Sequence, residues 1–258
     1  GANNVKLYVT DANSNIDSAT AIVTVLDTIK PTVVAQNLTV YLDATGNATI
    51  TAADIDNGSA DNCAAITLAI DSANFDCAEV GANNVKLYVT DANSNIDSAT
   101  VVVTVLDTLN PTVIAQNITV YLDGTGNANI TAADIDNGSA DNCSGFTLTI
   151  DSSSFDCSNV GANPVKFYVT DASSNVDSAS VVVTVMDTLN PTVITQNITV
   201  YLDVNGVATI TPADIDNGSA DNCSAITLMI DSANFDCAEV GANNVKLYVT
   251  DANSNIDS

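Results

Sequence analysis

The chain has 258 residues, a formal net charge of −26 at pH 7, five lysines, and no arginine, histidine or tryptophan. That balance excludes nucleic acid as a partner, because phosphate binding needs a basic face, and it excludes an anionic membrane surface for the same reason. No apolar run approaches the roughly 20 residues of a membrane span, so no membrane insertion is expected of this segment.

The chain repeats itself with a period of 80 residues. Gly-Ala-Asn begins at Gly1, Gly81, Gly161 and Gly241, and Asp-Asn-Gly-Ser-Ala-Asp-Asn-Cys begins at Asp56, Asp136 and Asp216. A solenoid repeat is shorter, about 20–50 residues, and cannot fold alone; this period suits a small autonomous domain that is stapled.

From Pro111 to Asn190 the elements follow in order. Ile118, Val120 and Leu122 point one way, Thr119 and Tyr121 the other; a Gly-Thr-Gly-Asn turn follows at Gly124, then Asn129-Ile-Thr. Phe146, Leu148 and Ile150 alternate with threonines, Val165, Phe167 and Val169 with Lys166, Tyr168 and Thr170, and Val181, Val183 and Val185 with Val182, Thr184 and Met186. Period two with β-branched residues predicts half-buried antiparallel strands, and turns every ten or so residues predict a sandwich. One helical turn is expected at Thr211-Pro-Ala-Asp214, with a capping Thr and Pro at the first helical position, and at Thr51-Ala-Ala-Asp54 by analogy.

Strands end at Asp107 and Pro111 cannot continue a ladder, which sets the domain boundary. The expected organisation is a truncated repeat over 1–30, complete immunoglobulin-like repeats over 31–110 and 111–190, and a repeat lacking its last strand over 191–258, the whole cut from a longer array. The fold class is all-β: tandem β-sandwich domains end to end, with one disulfide per domain.

Each repeat brings two cysteines: Cys63 and Cys77, Cys143 and Cys157, Cys223 and Cys237. With no histidine and no Cys-x-x-Cys, zinc is excluded. Repeat symmetry then predicts one bond inside each domain, closing a loop of about 15 residues worth on the order of 3 kcal/mol. Such bonds imply an oxidising, extracellular setting.

The acid is almost all aspartate, since glutamate occurs only at Glu79 and Glu239. Strand parity puts the 136–141 and 171–177 loops at the same pole as the incoming linker with Asp107. Hard cations take several oxygens from Asp, Asn and carbonyls, so Ca²⁺ is expected at the middle junction on Asp107, Asp136, Asp141, Asp171 and Asp177. The corresponding positions elsewhere are Asp27, Asp56, Asp61, Asp91, Asp97, Asp187, Asp216 and Asp221. Asp91-Ala-Asn93-Ser-Asn95 has the alternating oxygens of a calcium loop; the competing reading is that these residues only cap turns. No histidine, reactive thiol or carboxylate pair in a pocket points to catalysis, so the chain is not expected to be an enzyme.

Three segments carry a family resemblance: Pro111-Thr-Val-Ile-Ala-Gln-Asn-Ile-Thr-Val, Ala133-Asp-Ile-Asp-Asn-Gly-Ser-Ala-Asp-Asn-Cys143, and Tyr168-Val-Thr-Asp-Ala-Ser-Ser-Asn. They resemble the hyalin-type (HYR-like) repeats of very large surface adhesins of Bacteroidota, including gliding-motility adhesins exported by the type IX secretion system. The resemblance implies an immunoglobulin-like sandwich and a cell-surface stalk or filament. Hyalin-type repeats often carry a second cysteine pair on the last two strands, absent here. It also implies O-glycosylation at Asp-Ser/Thr followed by a small or aliphatic residue, placing glycans on Thr28, Ser98, Thr108, Ser178 and Thr188. The resulting expectation is an extracellular, cell-surface spacer that holds an adhesive tip away from the cell. Its partners would be neighbouring repeats of the same chain and, through the tip, surface polysaccharide. The alternatives are a self-associating fibre or sheath, using lateral copies of itself, and an array that itself binds polysaccharide.

Overall fold

The alternating β-branched runs form strands throughout the computed structural model, which describes residues 1–63, 65–223 and 225–258. The chain divides into two units, Gly1–Leu109 with Asn142–Ser144, and Asn110–Asp141 with Gly145–Ser258.

In the first unit, Ile66–Ile70, Gly81–Asp91, Ile96–Leu106 and Leu38–Tyr41 make a four-stranded sheet in that order. Its inner face is Val85, Leu87 and Val89 on one strand and Val101, Val103 and Val105 on the next. A second layer closes over it. The Asn47–Thr49 and Asn74–Asp76 ladder brings Phe75, and the helical turn Ala52–Ile55 brings Ile55. The turn forms as expected: the Thr51 amide and hydroxyl both donate to the Asp54 carboxylate at 2.7 Å, a capping box that satisfies an orphan donor of the first turn.

The second unit repeats the arrangement. Phe146–Ile150, Gly161–Asp171, Val176–Met186 and Ile118–Tyr121 form the sheet, and Phe155, Ile130 and Ile135 cover Phe167, Val169, Val183 and Val185. Residues 191–258 add a three-stranded sheet of Ile226–Ile230, Leu247–Asp251 and Ile256–Asp257, with a smaller core of Ile210, Ile215, Leu247 and Val249. The architecture is therefore all-β with repeated immunoglobulin-like sandwiches.

Two expectations need correcting. The sheets are not wholly antiparallel, because Ile118–Tyr121 pairs in parallel with Val176–Met186, and Leu38–Tyr41 with Ile96–Leu106. Both strands of each pair run from the incoming linker towards the far end, and the rest of the domain serves as the long crossover that a parallel pair requires.

The disulfides also depart from the within-repeat pairing. Cys77 bonds Cys143, and Cys157 bonds Cys223, each at a sequence separation of 66, while Cys63 and Cys237 are free thiols. The cause is strand direction. In the 111–190 repeat the first strand leads away from the linker to the Gly126 turn, and the Cys157 sulfur lies 3.7 Å from the Gly126 carbonyl oxygen, at that far end. Cys223 follows Asp221 at the linker end of its own repeat, beside Asp187. The two cysteines of one repeat thus occupy opposite ends of a sandwich and cannot meet.

Identical sequence meets different surroundings in the first unit. Residues 1–10 repeat at 81–90; among the described residues Ala2–Thr10 pairs only with Ile16–Thr24, leaving Leu7 65% exposed, whereas Leu87 is fully buried. Leu87→Ala is therefore expected to cost about 2–5 kcal/mol and Leu7→Ala less than about 0.5 kcal/mol. The urea midpoints of the two variants against the parent check this.

Candidate functional site

The disulfide joint within the second unit assembles the chain's chemistry-bearing residues from four short segments. The first is the turn after the leading strand. Asp123 folds it by accepting from the Thr125 amide (2.8 Å), the Thr125 hydroxyl (2.6 Å) and the Asn127 amide (3.1 Å). These bonds hold the Asp123 carboxyl below its ordinary value, the Thr125 hydroxyl being the main cause. Gly126 closes the turn at φ +75°, and a Cβ there would stand 2.7 Å from the Cys157 sulfur and 2.9 Å from the Asn222 carbonyl oxygen. Only glycine accommodates both the left-handed backbone and that approach.

Cys157 begins the second segment, a 3₁₀ turn over Cys157–Asn159. Asp156 caps it, accepting from the Ser158 amide at 2.8 Å, and the Asn159 side chain accepts from the Asp156 amide at 2.9 Å. The sequence reading missed this element. Its signal was present in Asp76-Cys-Ala-Glu79 and Asp236-Cys-Ala-Glu239, an acid at the cap followed three residues later by glutamate.

The third segment is Asp221-Asn222-Cys223. Asn222 reaches across with its side-chain amide, donating to the Asp123 carbonyl at 3.2 Å and to the Asp187 carboxylate at 3.3 Å. The Asp221 carboxylate accepts from the Cys223 amide at 2.8 Å. Its other oxygen, and the Asn222 side-chain oxygen, are buried with no hydrogen-bond partner among the described residues. The fourth segment is the linker. Asp187 is buried, and its carboxylate accepts from the Leu189 amide (3.2 Å) and the Asn253 side chain (3.0 Å), while Asn255 donates to its carbonyl at 3.2 Å. Oxygens of Asp187 and Asp221 and the Cys223 sulfur lie within 4.8 Å of one another, so two carboxylates share one half-buried place beside the disulfide.

The first unit holds a counterpart at Asp27, Asp61 and Cys63. Asn93 donates to the Asp27 carboxylate and Asn95 to its carbonyl, both at 3.2 Å. Here the cysteine is a free thiol. Its hydrogen bond to Asp27, with burial and the nearby acids, raises its pKa above the ordinary thiol value, and the same bond lowers that of Asp27. Asp107, in the first unit, accepts from the Leu109 amide and the Asn142 side chain; Asp141 belongs to the second unit.

The remaining predicted aspartates serve their own loops. Asp91 accepts from the Asn93 and Asn95 amides and the Asn95 side chain, at 2.7–2.8 Å. Asp171 accepts from the Asn175 amide and side chain, and Asp177 from the Ser178 amide. Asp97 lies half-buried near the start of Ile96–Leu106. Asp56, Asp136 and Asp216 accept from the amides of Ser59, Ser139 and Ser219. Of the residues expected to carry glycans, Thr28, Thr108 and Thr188 are exposed linker positions, while Ser98 and Ser178 are half-buried in strands. No helix among the described residues is long and apolar enough to cross a membrane.

No protein-family model matches the chain, and no curated protein matches it. Among solved structures, it is similar to protocadherin gamma B7 extracellular cadherin domains 1-4, at 13% identity and TM-score 0.34, over 98% of this chain and 80% of that one. It is also similar to mouse cadherin-23 EC22-24, at 16% identity and TM-score 0.35, over 88% and 87%. Likenesses this low carry neither a fold nor a role to this chain.

Gly126→Ala is expected to cost about 2–4 kcal/mol, from left-handed strain plus the clash with sulfur and carbonyl. Gly138 has φ +97° but open space around its Cβ position, so Gly138→Ala should cost only about 1 kcal/mol. Urea unfolding and the yield of the Cys157–Cys223 peptide on a non-reducing map measure both. A pH effect follows from Asp123 and Asp134, whose folded pKa values are lowered by the Thr125 hydroxyl and the Thr131 amide respectively. The stability they give is present above the unfolded pKa of about 3.9 and is lost as pH falls through the lower folded value. Unfolding midpoints in 0.15 M salt should therefore hold above about pH 5 and fall below about pH 4, and Asp134→Asn should lessen that fall.

Proposed function

We propose that the chain is a spacer segment of an extracellular adhesin stalk, built from hyalin-type repeats and holding an adhesive tip away from the cell that carries it. The observation that carries this reading is the Cys157–Cys223 bond, which ties one sequence repeat to the next within a single unit. A binding module needs an open recognition face. The best-made feature of this chain is instead a repeat-to-repeat joint, with a disulfide, a glycine that admits it and an asparagine bridging turn and linker. Disulfides of this sort persist outside reducing compartments, in keeping with an extracellular place.

Calcium is the joint's proposed cofactor. Asp187 and Asp221, whose oxygens lie within 4.8 Å of one another, supply the hard oxygen donors such an ion takes. Two carboxylates so close are relieved by a cation, which would stiffen the joint. The aspartates turned into their own loops are not part of this donor set.

As a spacer, the purified chain should bind nothing on a polysaccharide array and sediment as a monomer; binding by the repeats alone, or lateral bundles, would overturn the reading. For calcium, millimolar Ca²⁺ should raise the melting temperature and EDTA should reverse it. Asp187→Asn combined with Asp221→Asn should lessen the response, the counterpart at Asp27 and Asp61 keeping the remainder, and an unresponsive parent chain rules the ion out.

A further inference from the structure

We infer that the disulfides make the chain a length-limited tether: under tension applied at its two ends, about half of its contour cannot be extended. The inference rests on covalent connectivity. Cys77–Cys143 and Cys157–Cys223 each bridge a sequence separation of 66. A pull along the chain enters Cys77, crosses the first bond to Cys143, runs the short stretch to Cys157, and crosses the second bond to Cys223. Residues 78–142 and 158–222 hang as closed loops off that path and carry no end-to-end tension.

The bypassed loops hold the strands that bury the most apolar surface. In the first loop lie Gly81–Asp91 and Ile96–Leu106, with fully buried Val85, Leu87, Val89, Val103 and Val105. The second holds Gly161–Asp171 and Val176–Met186, with Phe167, Val169 and Val183. The stressed stretch from Cys143 to Cys157 holds only the short strands Phe146–Ile150 and Ser154–Asp156. Even if it is pulled out fully, it lengthens to roughly 50 Å, whereas a whole repeat without the bonds would reach roughly 280 Å. Within-repeat bonds would have the opposite consequence. They would lock only the short stretch between paired cysteines and leave the long valine strands to be drawn out.

The property goes beyond the spacer reading and gives it a mechanical purpose, since a tether that yields little keeps its tip at a set distance. The test is single-molecule stretching of the full chain held at its termini, with free thiols alkylated beforehand. Without reductant, the fully extended contour should reach roughly 450 Å, and with a phosphine reductant roughly 900 Å. Cys77→Ser combined with Cys157→Ser should give the longer value without reductant; this readout does not need the variant to fold. A contour of roughly 780 Å without reductant, the value for three within-repeat bonds, overturns the inference. So does a non-reducing map that lacks the Cys77–Cys143 and Cys157–Cys223 peptides. A missing Cys157–Cys223 peptide would also remove the bond that supports the spacer reading, whereas polysaccharide binding or lateral bundling overturns the spacer reading alone and leaves the contour length untouched.

Discussion

The constraint on which the rest depends is the bond from a 3₁₀-turn cysteine to the cysteine 66 residues onward. An 80-residue sandwich has little core to spare, and closing so long a loop contributes about 4 kcal/mol on the chain-entropy account, more than a local loop would. The bond dictates much around it. Gly46 and Gly126 must be glycine because a sulfur and a carbonyl oxygen of the disulfide-bearing segments stand where their side chains would begin. Asn142 and Asn222 are held where they can donate both to the turn carbonyl and to a linker aspartate.

Aspartate in this protein is chiefly backbone chemistry. With five lysines against a net charge of −26, few carboxylates can be paired with a base. They are solvated instead by amide and hydroxyl donors within two to four residues, at turns, helix starts and hairpin loops. Such bonds stabilise the charged form and lower the pKa at Asp43, Asp54, Asp123, Asp134, Asp203 and Asp214 among others. The joint differs in kind, because there oxygens of two aspartates come together and two side-chain oxygens are left unserved among the described residues.

Much of the fold was legible in the sequence. Alternation marked Val165, Phe167 and Val169 as inward, and all are buried; the capped turn at Thr211-Pro-Ala-Asp214 forms where the residues ask for it. The disulfide partners were not legible, for a reason of symmetry. In a periodic chain, pairing each second cysteine with the first of its own repeat or with that of the next preserves the period equally well. Only the direction of the strands, which sends the two cysteines of a repeat to opposite ends, separates the possibilities. The parallel pairing of Ile118–Tyr121 was hidden likewise, because alternation reports which face a residue takes and not which strand lies beside it. Of the aspartates expected at the junctions, Asp56, Asp91, Asp136, Asp171 and Asp216 accept from amides of their own loops, while oxygens of Asp187 and Asp221 come together, a difference that spacing alone does not resolve.

The pairing rule also bears on how such a chain can change in length over generations. Each repeat contributes one cysteine that looks backward and one that looks forward, so whole repeats can be gained or lost by recombination without orphaning a thiol in the interior. An exchange out of frame by part of a repeat would strand a cysteine and bring a side chain into the turn where only Gly126 fits. A change in repeat number by whole steps therefore leaves the pairing rule and the turn glycines intact.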